Sequence, residues 1–302
     1  MPQYSRMPKR VLLTGAGGFS GSAVATALLD RGHEVIAAVG RRSAGRLAAA
    51  ASGRQGLTVL HGDLADSRFA LPEDIGVVVH AAATSPAPGI TVADMVRDNV
   101  VATERLLRHA AATGVESVIY LSSLSVYGDV AAPELDETTE TRNPNAYGLT
   151  KRLGEEMLAA LAPSLRAVAI RLPGVLGRGA IRNWLTGVLA AAQAGRDIPV
   201  YNCAAPFNNA AHIDDVAAFI NETIVDESWS GFAAFPIGAA GSITVGDAVM
   251  ILINGTGAQS RMVDKGMRLP CFTISNRAAL ARGYRPREIT DMLRRFVTEN
   301  RP

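Results

Sequence analysis

The stretch Thr14-Gly15-Ala16-Gly17-Gly18-Phe19-Ser20-Gly21 follows directly on the apolar run Val11-Leu12-Leu13 and leads at once into a helical pattern, Ser20 to Asp30. A strand, a glycine turn and a helix joined without a linker constrain a fold severely, because only a few βα arrangements place a backbone this tightly. The chain continues in the same manner. Short apolar runs at Val35-Ile36-Ala37-Ala38-Val39, Leu57-Thr58-Val59-Leu60, Val77-Val78-Val79, Val118-Ile119-Tyr120-Leu121 and Ala167-Val168-Ala169-Ile170 alternate with longer Ala- and Leu-rich stretches. These runs are mostly continuous rather than alternating, which suits strands buried on both faces of a parallel sheet. Helical periodicity over Thr91 to Ala112 and Tyr147 to Leu161 supplies the crossovers. The pattern predicts an α/β doubly wound parallel sheet over residues 8–171.

Beyond Arg171 glycine, proline and asparagine become more frequent, with helices expected near Trp184 to Ala194, Asp214 to Val225, Val245 to Ile253 and Ile289 to Val297. Residues 172–302 read as a smaller C-terminal substrate-binding lobe, interleaved with returns to the main sheet and too interspersed to hold a core of its own. With 302 residues, 48% hydrophobic and 19% charged, the composition is that of a globular protein. A net charge of +2 with scattered arginines and lysines argues against a nucleic-acid partner. No apolar run reaches the roughly 18 residues a membrane span requires, and the start of the chain does not read as a signal peptide. Cys203 and Cys271 match no metal spacing and read as free thiols of a cytoplasmic protein, with no metal expected.

The glycine turn can hold a pyrophosphate. Gly15, Gly18 and Gly21 allow a tight turn, close backbone approach and close helix packing, and the phosphates would meet free N–H groups at the helix start. Gly15 and Gly17 match the first two glycines of the more familiar Gly-x-Gly-x-x-Gly spacing, with Ser20 in the third place and Phe19 beside it; a glycine turn without a ligand is the plainer alternative. After the second strand an NAD-selective site usually offers Asp or Glu, whereas this chain has Arg41 and Arg42. Two guanidiniums suit a 2′-phosphate, so NADP is expected ahead of NAD, unless the arginines only cap a solvated helix.

Tyr147 and Lys151 are four apart on one predicted helix, which places a phenol and an ammonium on the same face. A nearby ammonium favours the phenolate and draws its pKa down from about 10. Such pairs also occur on ordinary helix surfaces.

With Leu121-Ser122-Ser123-Leu124-Ser125-Val126-Tyr127-Gly128 at the end of the fifth strand, the glycine turn and the Tyr/Lys pair, the chain resembles the extended short-chain dehydrogenase/reductase family of epimerases, dehydratases and reductases. The segments His61-Gly62-Asp63-Leu64, His80-Ala81-Ala82-Ala83, Asp98-Asn99-Val100, Arg171-Leu172-Pro173-Gly174-Val175 and His212-Ile213-Asp214-Asp215 fall in the family's order. The resemblance implies a Rossmann-type dinucleotide domain. It implies that Tyr147 exchanges a proton with a substrate oxygen held by Ser123, that Lys151 binds the nicotinamide ribose, and that Asn99 supports the active-site helix and a water-linked proton path. Asp63 and Leu64 would meet the adenine, Ala81, Ala82 and Ala83 the ribose and phosphates, and Pro173 and Val175 the nicotinamide. Asp63 as a turn residue and Asn99 as a packing amide are the alternatives, and His80 and His212 read as structural histidines.

The implied reaction is hydride transfer at a hydroxyl or keto group, with a nucleotide sugar as the expected substrate. Leu124 and Ser125 stand where a dehydratase of this kind carries an acidic pair, which argues against dehydration. Phe207-Asn208-Asn209-Ala210-Ala211-His212 lacks the arginine that commonly binds a diphosphate there. A reductase of a non-sugar aldehyde or ketone is therefore the alternative, with a non-catalytic dinucleotide sensor behind it. Thr84, Ser85, Ser125, Arg178 and Asn208 are the expected substrate contacts, Arg182 and Arg268 further sources of positive charge, and Trp184 either a core or a base-stacking residue. A homodimer through the two helices Thr91 to Ala112 and Tyr147 to Leu161 is the expected assembly.

Overall fold

The computed structural model describes residues 8–40, 44–51, 53–268 and 270–301. Seven strands make the main sheet: β1 (Arg10–Thr14), β2 (Glu34–Val39), β3 (Leu57–His61), β4 (Val77–His80), β5 (Ser117–Ser123), β6 (Arg166–Leu172) and β7 (Phe232–Pro236). Their order across the sheet is β7-β6-β5-β4-β1-β2-β3. β1 pairs in parallel with both β2 and β4, β2 with β3, and β4 with β5. The chain thus begins in the interior of the sheet and winds outwards in both directions. That reversal at β1 and β4 opens a crevice at their carboxyl ends, where ligands bind in sheets of this kind. The continuous apolar runs of the inner strands are explained by burial on both faces: Val11, Leu12, Leu13, Val77, Val78, Val79, Val118 and Ile119 are all fully buried, whereas the run Leu57-Thr58-Val59-Leu60 forms the edge strand β3 and leaves Thr58 and Val59 exposed.

The described chain forms two compact units. The described residues of the first fall within Met1–Gly128, Thr141–Arg171 and Ala217–Phe235, and those of the second within Asp129–Glu140, Leu172–Val216 and Pro236–Pro302. In the first, Leu12, Ile36, Val78, Leu106, Val118, Tyr120 and Leu158 belong to one core cluster that joins the sheet to its helices. The helical run expected over Thr91 to Ala112 is three segments, Val92–Val96, a π-helical turn Arg97–Val101, and Ala102–Ala112. Thr91 and Asp94 close a capping box at its start.

The second unit differs from the expectation in having a core of its own. Leu176, Leu185, Leu189, Ile198, Val249, Leu252, Leu293 and Phe296 pack into one buried cluster. Short strands alone would not bury this much, but helices Trp184–Gln193, Val245–Thr256 and Ile289–Glu299 each bring an apolar face. Four two-stranded pairs complete the unit. Gly174–Leu176 lies parallel to Ala210–His212, and Ile198–Val200 parallel to Met262–Asp264. Glu134–Leu135 is parallel to Thr273–Ile274, whereas Pro206–Phe207 runs antiparallel to Ile243–Thr244. Trp184, at the head of its helix, meets Phe207 edge-on at 5.4 Å between ring centroids.

Among the described residues no helix is long and apolar enough to cross a membrane, and no group of three or more acidic, histidine or cysteine side chains could hold a metal ion.

Candidate active site

The glycine turn is sterically committed to its shape. Gly15 has φ +68°, and a Cβ there would lie 2.5 Å from the Ala82 amide nitrogen and 2.7 Å from the Ala81 carbonyl carbon. A Cβ on Gly21 would strike the Gly15 carbonyl. Gly18 donates its N–H to that carbonyl at 2.9 Å and caps helix Phe19–Asp30 without any side-chain cap. As N-cap, Gly18 offers no side chain to the first N–H groups of this helix, at Phe19 and Ser20, which suits an anionic ligand there. Gly17 is buried behind the turn. These residues fit a dinucleotide's pyrophosphate.

β4 ends against the same turn. Ala81 donates its N–H to the Thr14 carbonyl, and Ala82 donates to Thr14 Oγ1 at 3.3 Å, while Ala83 is exposed. Thr14 Oγ1 is also 2.6 Å from His80 Nδ1, and His80 Nε2 is 2.9 Å from Thr103 Oγ1. Because Thr103 gives its own proton to the Asn99 carbonyl at 2.6 Å, it accepts from His80 Nε2–H, and Thr14 then donates to Nδ1. His80 is a satisfied core histidine, neutral because burial, helped by the charge of Lys151, pushes its pKa down to about 3.

In the loop after β3, Asp63 accepts from the Ala65 N–H at 2.9 Å and pairs with Arg97, which also holds Asp98 at 2.6 Å. Arg105 fixes the adjoining loop by donating to the carbonyls of Leu64 and Phe69. Arg41 and Arg42 lie outside the described residues.

Asn99 sits in the π-helical turn, 1% exposed. Its Oδ1 accepts from the Thr84 N–H at 2.7 Å, and its Nδ2 donates to the Thr84 carbonyl at 2.9 Å and to Thr150 Oγ1 at 3.0 Å. Thr150 in turn donates to the Tyr147 carbonyl at 2.8 Å. One amide thus ties the loop after β4 to the helix that carries Tyr147. Thr84 Oγ1 donates to Asp98 at 2.6 Å, so this loop is held from both of its polar ends.

Helix Ala146–Leu161 is capped by Asn145, whose side chain accepts from the Gly148 N–H at 2.8 Å. A Cβ at Gly148 would overlap the Ser125 carbonyl, so its absence lets the helix start rest on the turn after β5. In that turn Ser123 Oγ accepts from the Ser125 N–H at 3.1 Å and lies 3.2 Å from Ser125 Oγ. Ser85 lies beside the Tyr147 hydroxyl, and the turn with Ser123 and Ser125 lies against Gly148 of the same helix.

The Tyr/Lys pair departs from expectation in its electrostatics. Burial raises the Tyr147 pKa, opposed by Ser85 beside its hydroxyl. Lys151 is 1% exposed, and its Nζ lies 3.9 Å from the centroid of the Tyr120 ring. Burial pushes the ammonium down to about 7, partly offset by Glu155. The lysine rests on Tyr120 instead of holding the phenol in its ionised form.

Beneath this helix lies a feature the sequence reading missed. Glu155, one turn beyond Lys151 and 1% exposed, accepts from Arg171 Nε at 3.0 Å and from a second guanidinium nitrogen at 2.7 Å. Ser122 donates to Glu155 at 2.6 Å, and Arg171 donates to the Tyr127 hydroxyl at 2.8 Å. The signal was available: Glu155 follows Lys151 by four on the same face.

The remaining expected residues belong to the second unit. Val175 pairs with Ala211, Pro173 precedes that strand, and Arg178 is exposed. Asn208 corrects its assignment to the substrate. It is 5% exposed, accepts from the Ile274 N–H at 2.8 Å and donates to the Ile274 carbonyl at 2.9 Å. An amide with both ends engaged by backbone is a structural tie. His212 is likewise internal, accepting from the Asp214 N–H and facing Glu299 at 3.2 Å.

Residues 11–226 match the family described as NAD dependent epimerase/dehydratase. The chain belongs to that family. A UDP-glucose 4-epimerase of Azospirillum brasilense is 31% identical over 185 residues, 59% of this chain and 52% of that protein. A 3 beta-hydroxysteroid dehydrogenase/Delta 5-->4-isomerase of Mycobacterium tuberculosis is 34% identical over 188 residues, 56% of this chain and 48% of that protein. The matched part spans about half the length of each of these relatives. The solved structure of MoeE5 in complex with UDP-glucuronic acid and NAD superimposes with a TM-score of 0.80, at 26% identity, covering 96% of this chain and 98% of that one.

Proposed function

We propose that this family member is an NAD(P)-dependent oxidoreductase or epimerase acting on a hydroxyl or keto group of a nucleotide sugar. The observation that carries the reading is the seating of Gly148 on the Ser125 carbonyl, which sets the start of the Tyr147 helix against the turn that holds Ser123. When bound, the dinucleotide supplies a carbon that accepts or returns a hydride. Tyr147 moves the proton at the substrate oxygen, giving it during reduction and taking it during oxidation. Its raised pKa keeps the phenol protonated at neutral pH, so oxidation requires a cation close by. Lys151 rests on Tyr120 in this structure; with the dinucleotide bound it would supply that charge and hold the nicotinamide ribose. Ser123 donates to the substrate oxygen and fixes its position. Asn99 holds the Tyr147 helix to the loop at Thr84, and Ser85 and Ser125 line the substrate side.

The cofactor cradle is Gly15, Gly17, Gly18, Phe19, Ser20 and Gly21, with Ala81, Ala82 and Ala83 beside it and Asp63 and Leu64 at the adenine. Pro173 and Val175 are the nicotinamide-side residues and Arg178 a substrate cation. Arg41 and Arg42 favour NADP over NAD on charge grounds. The UDP-sugar relatives support the substrate class. The alternative, reduction of a non-sugar carbonyl, is favoured by the segment Phe207 to His212, which has no arginine, and by the hydroxysteroid relative.

Thermal stabilisation by NAD, NADP and a panel of nucleotide sugars tests the reading, because a ligand of the native state raises its apparent stability. A shift with a nucleotide sugar supports it, whereas a shift with dinucleotide and steroid or ketone alone favours the alternative. The assembly we propose is a homodimer through helices whose outer faces carry Val92, Val96, Leu149 and Leu153, exposed by 56%, 42%, 51% and 50%. Replacing Leu149 and Leu153 by Glu should turn a dimer into a monomer in sedimentation equilibrium; a monomeric parent refutes the assembly.

A further inference from the structure

A buried ammonium needs a compensating partner. Among the described residues no hydrogen-bond acceptor lies on Lys151 Nζ. The charged and titratable groups around it are accounted for: Glu155 on its own helix is engaged by Arg171 and Ser122, and His80 at the end of β4 is closed at both ring nitrogens by threonine hydroxyls. Tyr147, one turn earlier on the helix, has Ser85 beside its hydroxyl. The Tyr120 ring face is what remains, with Nζ 3.9 Å from its centroid. That distance is well inside the range in which a cation is held by an aromatic quadrupole.

The ring itself is tightly held. Tyr120 is 2% exposed, its centroid 5.4 Å from that of His80. Its phenol edge lies against Gly154, where a Cβ would collide with the Tyr120 hydroxyl and its ring carbon. That hydroxyl makes no hydrogen bond of good geometry, although the Thr103 hydroxyl lies near it. The missing side chain at Gly154, one turn beyond Lys151, is what admits the ring beneath the helix.

We propose that Tyr120 is a positioning residue, whose ring face seats the Lys151 ammonium within the ligand-free protein and holds it ready for a dinucleotide's ribose hydroxyls. The seat is a property of the free chain; its use in binding rests on the function proposed above. It works against the burial that pushes the ammonium down to about 7, and it explains why the ammonium is not spent on the phenol beside it. Ligation would exchange a ring face for hydroxyl oxygens, with no proton needing to leave.

The chain contains only three lysines, Lys9, Lys151 and Lys265, so carbon-13 and nitrogen-15 labelling of lysine gives resolvable side-chain signals. In the free protein the Lys151 ε-methylene protons should be shifted upfield by the ring current. Tyr120→Phe should keep that shift and the titration midpoint near 7. Tyr120→Leu should abolish the shift and lower the midpoint by about one pH unit, the loss expected for a desolvated cation–π contact. Addition of NAD to the wild type should collapse the upfield shift. Ordinary ε-proton shifts in the wild type, or a leucine variant with an unchanged midpoint, would overturn the seat, and the wild-type spectrum decides even if the leucine variant fails to fold. An upfield shift that NAD leaves untouched supports the seat while counting against the dinucleotide reading of the site.

Discussion

Glu155→Ala removes the carboxylate on which Arg171 depends. The pair is internal, with side chains 1% and 6% exposed, and the carboxylate takes two guanidinium nitrogens and the Ser122 hydroxyl. Its removal leaves Arg171 buried with the Tyr127 hydroxyl as its remaining close partner. Breaking a buried pair in this way costs about 3–5 kcal/mol, most of it the desolvation of the charge left behind. Arg171→Met should cost a similar amount by stranding the carboxylate. Glu155→Leu combined with Arg171→Met strands no charge and costs the Ser122 and Tyr127 hydroxyls one hydrogen bond each. With about 1 kcal/mol for each, the double variant should lose roughly 2 kcal/mol, far below the sum of the singles. Urea unfolding followed by circular dichroism measures all three. A Glu155→Ala variant within about 1 kcal/mol of wild type, or additive losses in the double variant, would refute the reasoning.

Two further outcomes are expected. His80 is neutral in the fold, with a pKa near 3 against the usual 6.5, so between these values the unfolded chain binds more protons. Stability is then full above about pH 6.5 and falls on acidification through this window, by up to about 1.4 kcal/mol per unit; His80→Gln should flatten this slope in urea titrations at several pH values. Gly15→Ala places a Cβ against Ala81 and Ala82 at a positive φ, and should lower stability by about 1–3 kcal/mol while abolishing thermal stabilisation by dinucleotide. Undiminished stabilisation in that variant would contradict the cradle.

The sheet was legible in the sequence because strands buried on both faces leave continuous apolar runs, as Val77-Val78-Val79 does. The glycine turn was legible because a positive φ and a close backbone approach admit little else. What stayed hidden depends on contacts between distant segments. Helical periodicity places Lys151 and Tyr147 on one face, but not the Tyr120 ring that reaches the ammonium from β5. The π-helical turn at Arg97–Val101 has no composition that separates it from the helix around it. Asn208 looked like a substrate contact because its segment aligns with a binding element; the Ile274 backbone that consumes its amide is 66 residues away. The independent core of the second unit was hidden for the same reason, since its short strands pair across long separations.

The most direct test of the proposed chemistry compares wild type with Tyr147→Phe, each supplied with NAD(P) and a panel of nucleotide sugars, with products followed by NMR. Wild type should oxidise, reduce or epimerise one of the sugars, and the phenylalanine variant should still bind the dinucleotide but lose that turnover by at least about a hundredfold, the usual contribution of a positioned proton-transfer group. Turnover that survives undiminished in Tyr147→Phe would contradict the account.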